Sequence, residues 1–192
     1  EVVALDGRET APATASETLF VKADGKPMAF REAVVGGRAV GVPGTVRMLE
    51  MAHAAYGGLP WERLFEPAIE LAEAGFPVSP RLHLLLKADT HLREDSQAAA
   101  YFYQPDGEPH AVGTLLRNVS LAKVLRRIAA EGSRALYEGE IAQAVVDRVR
   151  NHPGNPGQLS MADMAAYKAK RRSALCTNYA PEGAPQIRSY RI

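Results

Sequence analysis

The spacing of apolar positions changes near residue 45. Before it lie two short runs, Thr18-Leu19-Phe20-Val21 and Pro27-Met28-Ala29-Phe30, separated by Ala23-Asp24-Gly25-Lys26. Short runs with β-branched or aromatic members around a turn predict a hairpin. A third run, Ala39-Val40-Gly41-Val42, is bounded by Gly36-Gly37 and Pro43-Gly44, residues that let a backbone turn sharply and approach another closely. From Thr45, expected as a helix cap, Val46, Leu49, Ala52 and Tyr56 recur at helical spacing and predict one apolar face. Glu50 and His53 lie off that face, and Gly57-Gly58 predicts a stop at positive φ.

Pro60 and Pro67 fit first-turn positions, which predicts a short helix and then a second one ending at Gly75. Leu64, Phe65, Ile69 and Leu71 are its core candidates. Ser79-Pro80 restarts a helix through Leu82, Leu85 and Leu86, after which the stretch from His91 to Asp95 is too polar to assign. Residues 100–118 read as a loop or small hairpin around Gln104-Pro105-Asp106-Gly107. Ser120 is expected to cap a helix carrying Leu121, Val124, Leu125 and Ile128, closed by Gly132, and Ile141, Val145, Val146 and Val149 mark another. Residues 151–157 read as a plain breaker, and Ser160 with Asp163 predicts a capping box opening a short helix to Tyr167. The fold class that follows is α+β, mainly helical with a few short strands, without repeats or a clean linker.

Composition narrows the function classes. The 192 residues are 46% hydrophobic with 23 Lys+Arg against 22 Asp+Glu, a balance typical of a globular chain and too neutral to gather nucleic acid over its whole surface. Charges or prolines interrupt every apolar run before the ~18 residues a membrane span needs. The single cysteine, Cys176, excludes an internal disulfide and a cysteine-based metal cage.

Candidate chemistry is sparse. No Gly-x-Ser-x-Gly elbow occurs, and Cys176 has no catalytic signature around it, so it reads as an ordinary half-buried thiol. His53, His83, His91, His110 and His152 are scattered without metal-ligand spacing, and no metal site is expected. The glycines around Val42 lack the pattern of a phosphate loop. Lys168, Lys170, Arg171 and Arg172 form a basic run without interleaved aromatics, expected as a solvated face at the end of a helix. Arg8, between Asp6 and Glu9, has by default the look of a surface ion pair.

Longer strings change the reading of Arg8. LDGRETAPATA (5–15), the stretch from Gly36 to Leu82 with its Val-Pro-Gly-Thr, Gly-x-Leu-Pro-Trp and Gly-Phe-Pro-Val segments, and the stretches 121–146 and 157–172 resemble, in order, the large subunit of γ-glutamyltransferases, or glutathione hydrolases. The resemblance covers roughly residues 2–179 and leaves a divergent tail over 180–192. It implies the N-terminal nucleophile hydrolase fold, an αββα sandwich, of which this would be the helical large-subunit part. It further implies a precursor that cleaves itself, with a Thr at the start of the small subunit as nucleophile and its own α-amine as base. The implied substrates are glutathione and other γ-glutamyl compounds, the acyl group passing to water or an amino acid without metal or organic cofactor.

One site residue carries over: Arg8 matches the large-subunit arginine that grips the α-carboxylate of the γ-glutamyl group, a contact suited to a guanidinium fork. No Thr-Thr-His segment occurs, so the chain is expected to lack the nucleophile and to be inactive without the small subunit. The loss of resemblance after Tyr179 is expected to reflect a frameshift or truncation. The resemblance implies a periplasmic location, although no secretory signal is read in these residues. A fragment of a related β-lactam acylase and a non-enzymatic helical interaction module are the alternatives. An isolated fragment is expected to expose apolar surface and dissolve poorly.

Overall fold

The computed structural model describes residues 2–179 and 187–191. Strand β1 (Val3–Asp6) leads through a long turn region into α1 (Phe30–Val34) and α2 (Thr45–Tyr56). A 3₁₀ turn (Trp61–Phe65), α3 (Glu66–Ala74), β2 (Phe76–Pro77), α4 (Pro80–Ala88) and α5 (Ser96–Phe102) follow. Next come β3 (Leu115–Leu116), α6 (Val119–Glu131), α7 (Arg134–Tyr137), α8 (Gly139–Arg150) and α9 (Met161–Ala166). The described part closes with β4 (Lys170–Ser173), β5 (Leu175–Tyr179) and β6 (Ile187–Arg191). The pairs β1–β4, β2–β3 and β5–β6 are all antiparallel. The fold class is thus α+β and mainly helical.

The main core forms where α8 and α9 meet the turn before α2. Ala142, Val146 and Val149 share one face of α8, at the i, i+4, i+7 spacing, and bury it. They pack with Val42, Tyr137, Leu159, Met164 and Tyr167. Each fully buried valine contributes about 1.5–3 kcal/mol. A second layer sets α3 against α6, with Ala72 and Ala122 buried and the Trp61 Nε1–H donating to the Ile128 carbonyl at 3.0 Å.

The helix starts and stops are mostly those the sequence predicts. Pro67 sits in the first turn of α3, Gly75 ends it at φ +94°, and the Ser79 hydroxyl accepts the Leu82 amide to cap α4. The Ser160–Asp163 capping box is complete. Gly132 ends α6 at φ +74°.

Several expectations are corrected. The reversal at 18–30 is present, but only Val21 and Pro27 bridge, because Pro27 has no N–H to donate and Phe30 already opens α1. Gly44, not Thr45, precedes α2, and Gly57 ends it in an extended conformation; a Cβ there would overlap His53. Asn118, not Ser120, caps α6 through the Leu121 amide. Part of the stretch read as polar and looped is helix α5, because the Asp95 carboxylate accepts the amides of Gln97 and Ala98. The basic run at 168–172 enters strand β4 rather than ending a helix, and Cys176 is exposed rather than half-buried.

The expected inward face of α2 is also displaced. Leu49 and Tyr56 are 49% and 60% exposed, while Glu50 turns inward to accept the Ser133 amide at 2.7 Å and its hydroxyl. Leu64, Leu71 and Leu85 are exposed as well. The breaker at 151–157 is an organiser: the Asn155 side-chain amide donates to the carbonyls of Glu32 and Val35 at 3.0 and 2.8 Å, and its oxygen accepts from Arg38 Nε at 2.7 Å. Of the expected divergent tail, residues 180–186 and 192 lie outside the described residues, and 187–191 form β6.

Candidate functional site

Strand β1 delivers the segment that carries Arg8. Its register pairs Val3 with Ser173 and Asp6 with Lys170, after which the chain leaves the sheet at Gly7. A Cβ on Gly7 would overlap the Met48 side chain of α2, so only glycine lets the loop lie on the start of that helix. Gly44 is under the same constraint, since a Cβ there would overlap the Tyr167 hydroxyl and the Gly7 carbonyl.

The Arg8 backbone is held on both sides. Its amide donates to Asp6 Oδ1 at 2.9 Å, and its carbonyl accepts the Tyr167 hydroxyl at 2.8 Å. The rest of the loop is tied down in turn: Thr10 exchanges two backbone hydrogen bonds with Val42, the Ala13 amide donates to Asp163 Oδ1 at 2.9 Å, and the Thr14 hydroxyl donates to Gln158 at 3.1 Å.

The Arg8 side chain, by contrast, is 82% exposed, and among the described residues its guanidinium meets one acceptor, Glu9 Oε1, 3.2 Å from its Nε. An exposed pair of this kind is worth about 0–1 kcal/mol and is readily exchanged. Arg8 stands at the edge of an open cavity of about 730 Å³, shared with Leu5, Asp6, Thr45, Met48 and Arg172. The second guanidinium is committed, because Arg172 Nε donates to Asp6 Oδ2 at 2.5 Å. Among the described residues at this cavity, Arg8 has the more exposed of the two guanidinium side chains.

Electrostatics keep the frame in its bonding state. The Arg8 amide, and then Arg172, hold the Asp6 carboxyl below the usual carboxylate range. Burial, together with the charges of Asp6 and Glu9, pushes the Tyr167 phenol up, so its hydroxyl stays a donor at neutral pH. Burial also pushes the Asp163 carboxyl up, but bonds from the Ser160 hydroxyl and the amides of Ala13 and Ser160 outweigh it and leave it lowered.

The other sequence candidates do not gather here. Cys176 is exposed on β5, with its sulfur 3.7 Å from the Ala174 carbonyl. His53 pairs with the Leu59 carbonyl and His83 with that of His110. Among the described residues no cluster of three or more His, Cys, Asp or Glu could hold a metal, and no helix is long and apolar enough to cross a membrane. A second cavity, of about 670 Å³, lies beside α8, but its Arg148 is paired with Asp95 and its Asp89 caps the amides of His91 and Leu92.

Tyr167, Asp163 and Gln158 escape notice in the sequence because each acts on a residue more than 140 positions away. The one local hint is the capping box that fixes where α9 begins.

The sequence model of the gamma-glutamyltranspeptidase family matches residues 1–189. The chain belongs to the γ-glutamyltranspeptidase family. It is 37% identical over 151 residues to the glutathione hydrolase proenzyme of Bacillus subtilis strain 168, a match covering 79% of this chain and 26% of that protein. The γ-glutamyltranspeptidase of Helicobacter pylori superposes with a TM-score of 0.87 at 31% identity, over 98% of this chain and 52% of that one. A cephalosporin acylase from Bacillus halodurans superposes with a TM-score of 0.78 at 28% identity, over 93% of this chain and 33% of that one. The chain thus spans about a quarter of this glutathione hydrolase proenzyme and about half of the solved H. pylori protein. The fold is that of this family of N-terminal nucleophile hydrolases, represented by its mainly helical part.

Proposed function

We propose that this chain is the large-subunit part of an enzyme that cleaves the γ-glutamyl amide of glutathione and related compounds, and that Arg8 grips the α-carboxylate of the γ-glutamyl group. The observation that carries the proposal is the contrast at Arg8, whose backbone is fixed at both peptide groups while its exposed guanidinium pairs, among the described residues, with the replaceable Glu9. A fixed root with an available fork suits recognition of a carboxylate, which accepts two parallel N–H···O bonds. In water such bonds contribute little. Shielded by the rest of the enzyme, each contributes about 1.5–3 kcal/mol.

In the reaction we infer, a Thr hydroxyl from the small subunit attacks the γ-carbonyl, its proton passing to the threonine's own amine. The amide C–N bond breaks, the amine leaves with a proton, and water or an amino acid then takes the acyl group. Arg8 anchors the far end of the glutamyl group so that the γ-carbonyl meets the nucleophile.

The test grafts this chain in place of the matched part of the H. pylori relative and follows chromogen release from a γ-glutamyl anilide. The graft should turn over, the purified chain alone should not, and Arg8→Lys should raise KM about tenfold or more, because ammonium loses the fork. Turnover by the chain alone, or an unchanged KM, contradicts the proposal. The likeness to a cephalosporin acylase supports a second reading, β-lactam side-chain hydrolysis, favoured if the graft cleaves a cephalosporin amide faster than the γ-glutamyl one.

A further inference from the structure

We infer that Tyr167 is a positioning residue for Arg8, its hydroxyl fixing the point from which the guanidinium reaches substrate. The inference rests on the carboxylate-binding reading of Arg8.

The geometry makes the Arg8 carbonyl the meeting point of two unlike parts of the molecule. On the amide side of Arg8, the partner is Asp6, two residues earlier at the end of β1, where it pairs with Lys170 and accepts from Arg172. On the carbonyl side the partner is Tyr167, 159 residues later and part of the main core, so this bond ties the Arg8 peptide directly to that core. Tyr167 can serve as a fixed point because it has nowhere to go. It is 7% exposed, and its ring stacks on Tyr137 at 6.0 Å with the planes 17° apart. Tyr137 is fully buried and lies under the Arg47 guanidinium, 4.6 Å from the ring centre, while Arg47 Nη1 donates to the buried Ser133 hydroxyl at 2.9 Å. The Tyr167 hydroxyl also occupies the space that Gly44 leaves by having no Cβ. A phenylalanine would keep the ring and the stack and lose only the bond to Arg8.

A side chain with several rotatable bonds finds a carboxylate efficiently only if its root is held, since a root that wanders must be ordered again each time the contact forms. Loss of the hydroxyl should therefore weaken the grip on the γ-glutamyl carboxylate without touching the chemistry at the scissile bond.

The experiment uses the grafted enzyme in four forms: wild type, Tyr167→Phe, Arg8→Lys and the double variant, with KM and kcat for the γ-glutamyl anilide measured per titrated active site. Tyr167→Phe should raise KM roughly three- to tenfold, the weight of one hydrogen bond, with kcat unchanged. It should add little in the Arg8→Lys background, because both act through one contact. If Arg8→Lys raises KM and Tyr167→Phe does not, the positioning role is overturned and the carboxylate reading stands. Full additivity overturns it too. If Arg8→Lys leaves KM unchanged, the carboxylate reading itself falls. A purely structural tyrosine would lower the thermal midpoint and the titrated fraction of active enzyme and leave KM where it was.

Discussion

Gly37 lies so close to the carbonyl of Val149 that no side chain fits between them: a Cβ there would overlap the carbonyl oxygen and the Gly157 amide. The contact joins the end of α8 to the turn before α2, and Gly157 donates its N–H to the same carbonyl at 2.9 Å. Gly37→Ala should therefore destabilise the chain by about 3 kcal/mol or more, because backbone rather than a flexible side chain must move. Gly58→Ala, where a new Cβ meets nothing within 4 Å, should stay within about 1 kcal/mol of wild type. Urea unfolding of both variants checks the contrast.

Asn155 should be equally intolerant. Its side chain bonds three carbonyls and one guanidinium in a buried setting, and replacement by alanine leaves all four without that partner. Asn155→Ala is expected to cost about 2–4 kcal/mol, read as a fall in the thermal midpoint. A variant as stable as wild type would mean that water replaces these bonds freely.

Stability should depend on pH through Asp163. Its carboxyl is lowered in the folded chain, so its contribution is fully present above the unfolded value of about 3.9 and is lost as pH falls through the folded pKa. Asp163→Asn removes that component. The stability gap between wild type and Asp163→Asn should be widest near about pH 7 and shrink on acidification below about pH 4. A gap independent of pH would show that the carboxylate charge contributes nothing to fastening Ala13.

The outward stripe of α2 should make the isolated chain sticky. Leu49 and Tyr56 lie seven positions apart on an uncovered face, and Leu59 and Leu64 are exposed nearby in sequence. The chain should bind a hydrophobic dye, and Leu49→Glu with Tyr56→Glu should reduce that binding with little change in thermal midpoint. A large loss of stability would show that these side chains already belong to the core.

Local rules made much of this fold legible. Ser79-Pro80, Pro67 and Gly75 place helix ends through capping, ring geometry and positive φ, all decided within a few residues. The inward face of α2 was legible only in part, because Val46 packs on the core while Leu49 and Tyr56 point outward and Glu50 is drawn inward by Ser133, 83 positions away. Nor was α5, whose start depends on Asp95 adopting an extended backbone ahead of three consecutive alanines. At the site, Arg8 emerged from the likeness of its flanking residues to a family rather than from physics, since a lone arginine between two acids looks the same on any surface. Its supports, Tyr167 and Asp163, are contacts of the tertiary fold and leave no periodic trace.

The most direct test of the central claim is a crystal structure of the grafted enzyme with glutamate bound. The account predicts that the Arg8 guanidinium leaves Glu9 and meets the α-carboxylate through two parallel bonds of about 2.7–2.9 Å, with the Tyr167 hydroxyl still on the Arg8 carbonyl. Glutamate bound elsewhere, with Arg8 remaining on Glu9 in solvent, would contradict it.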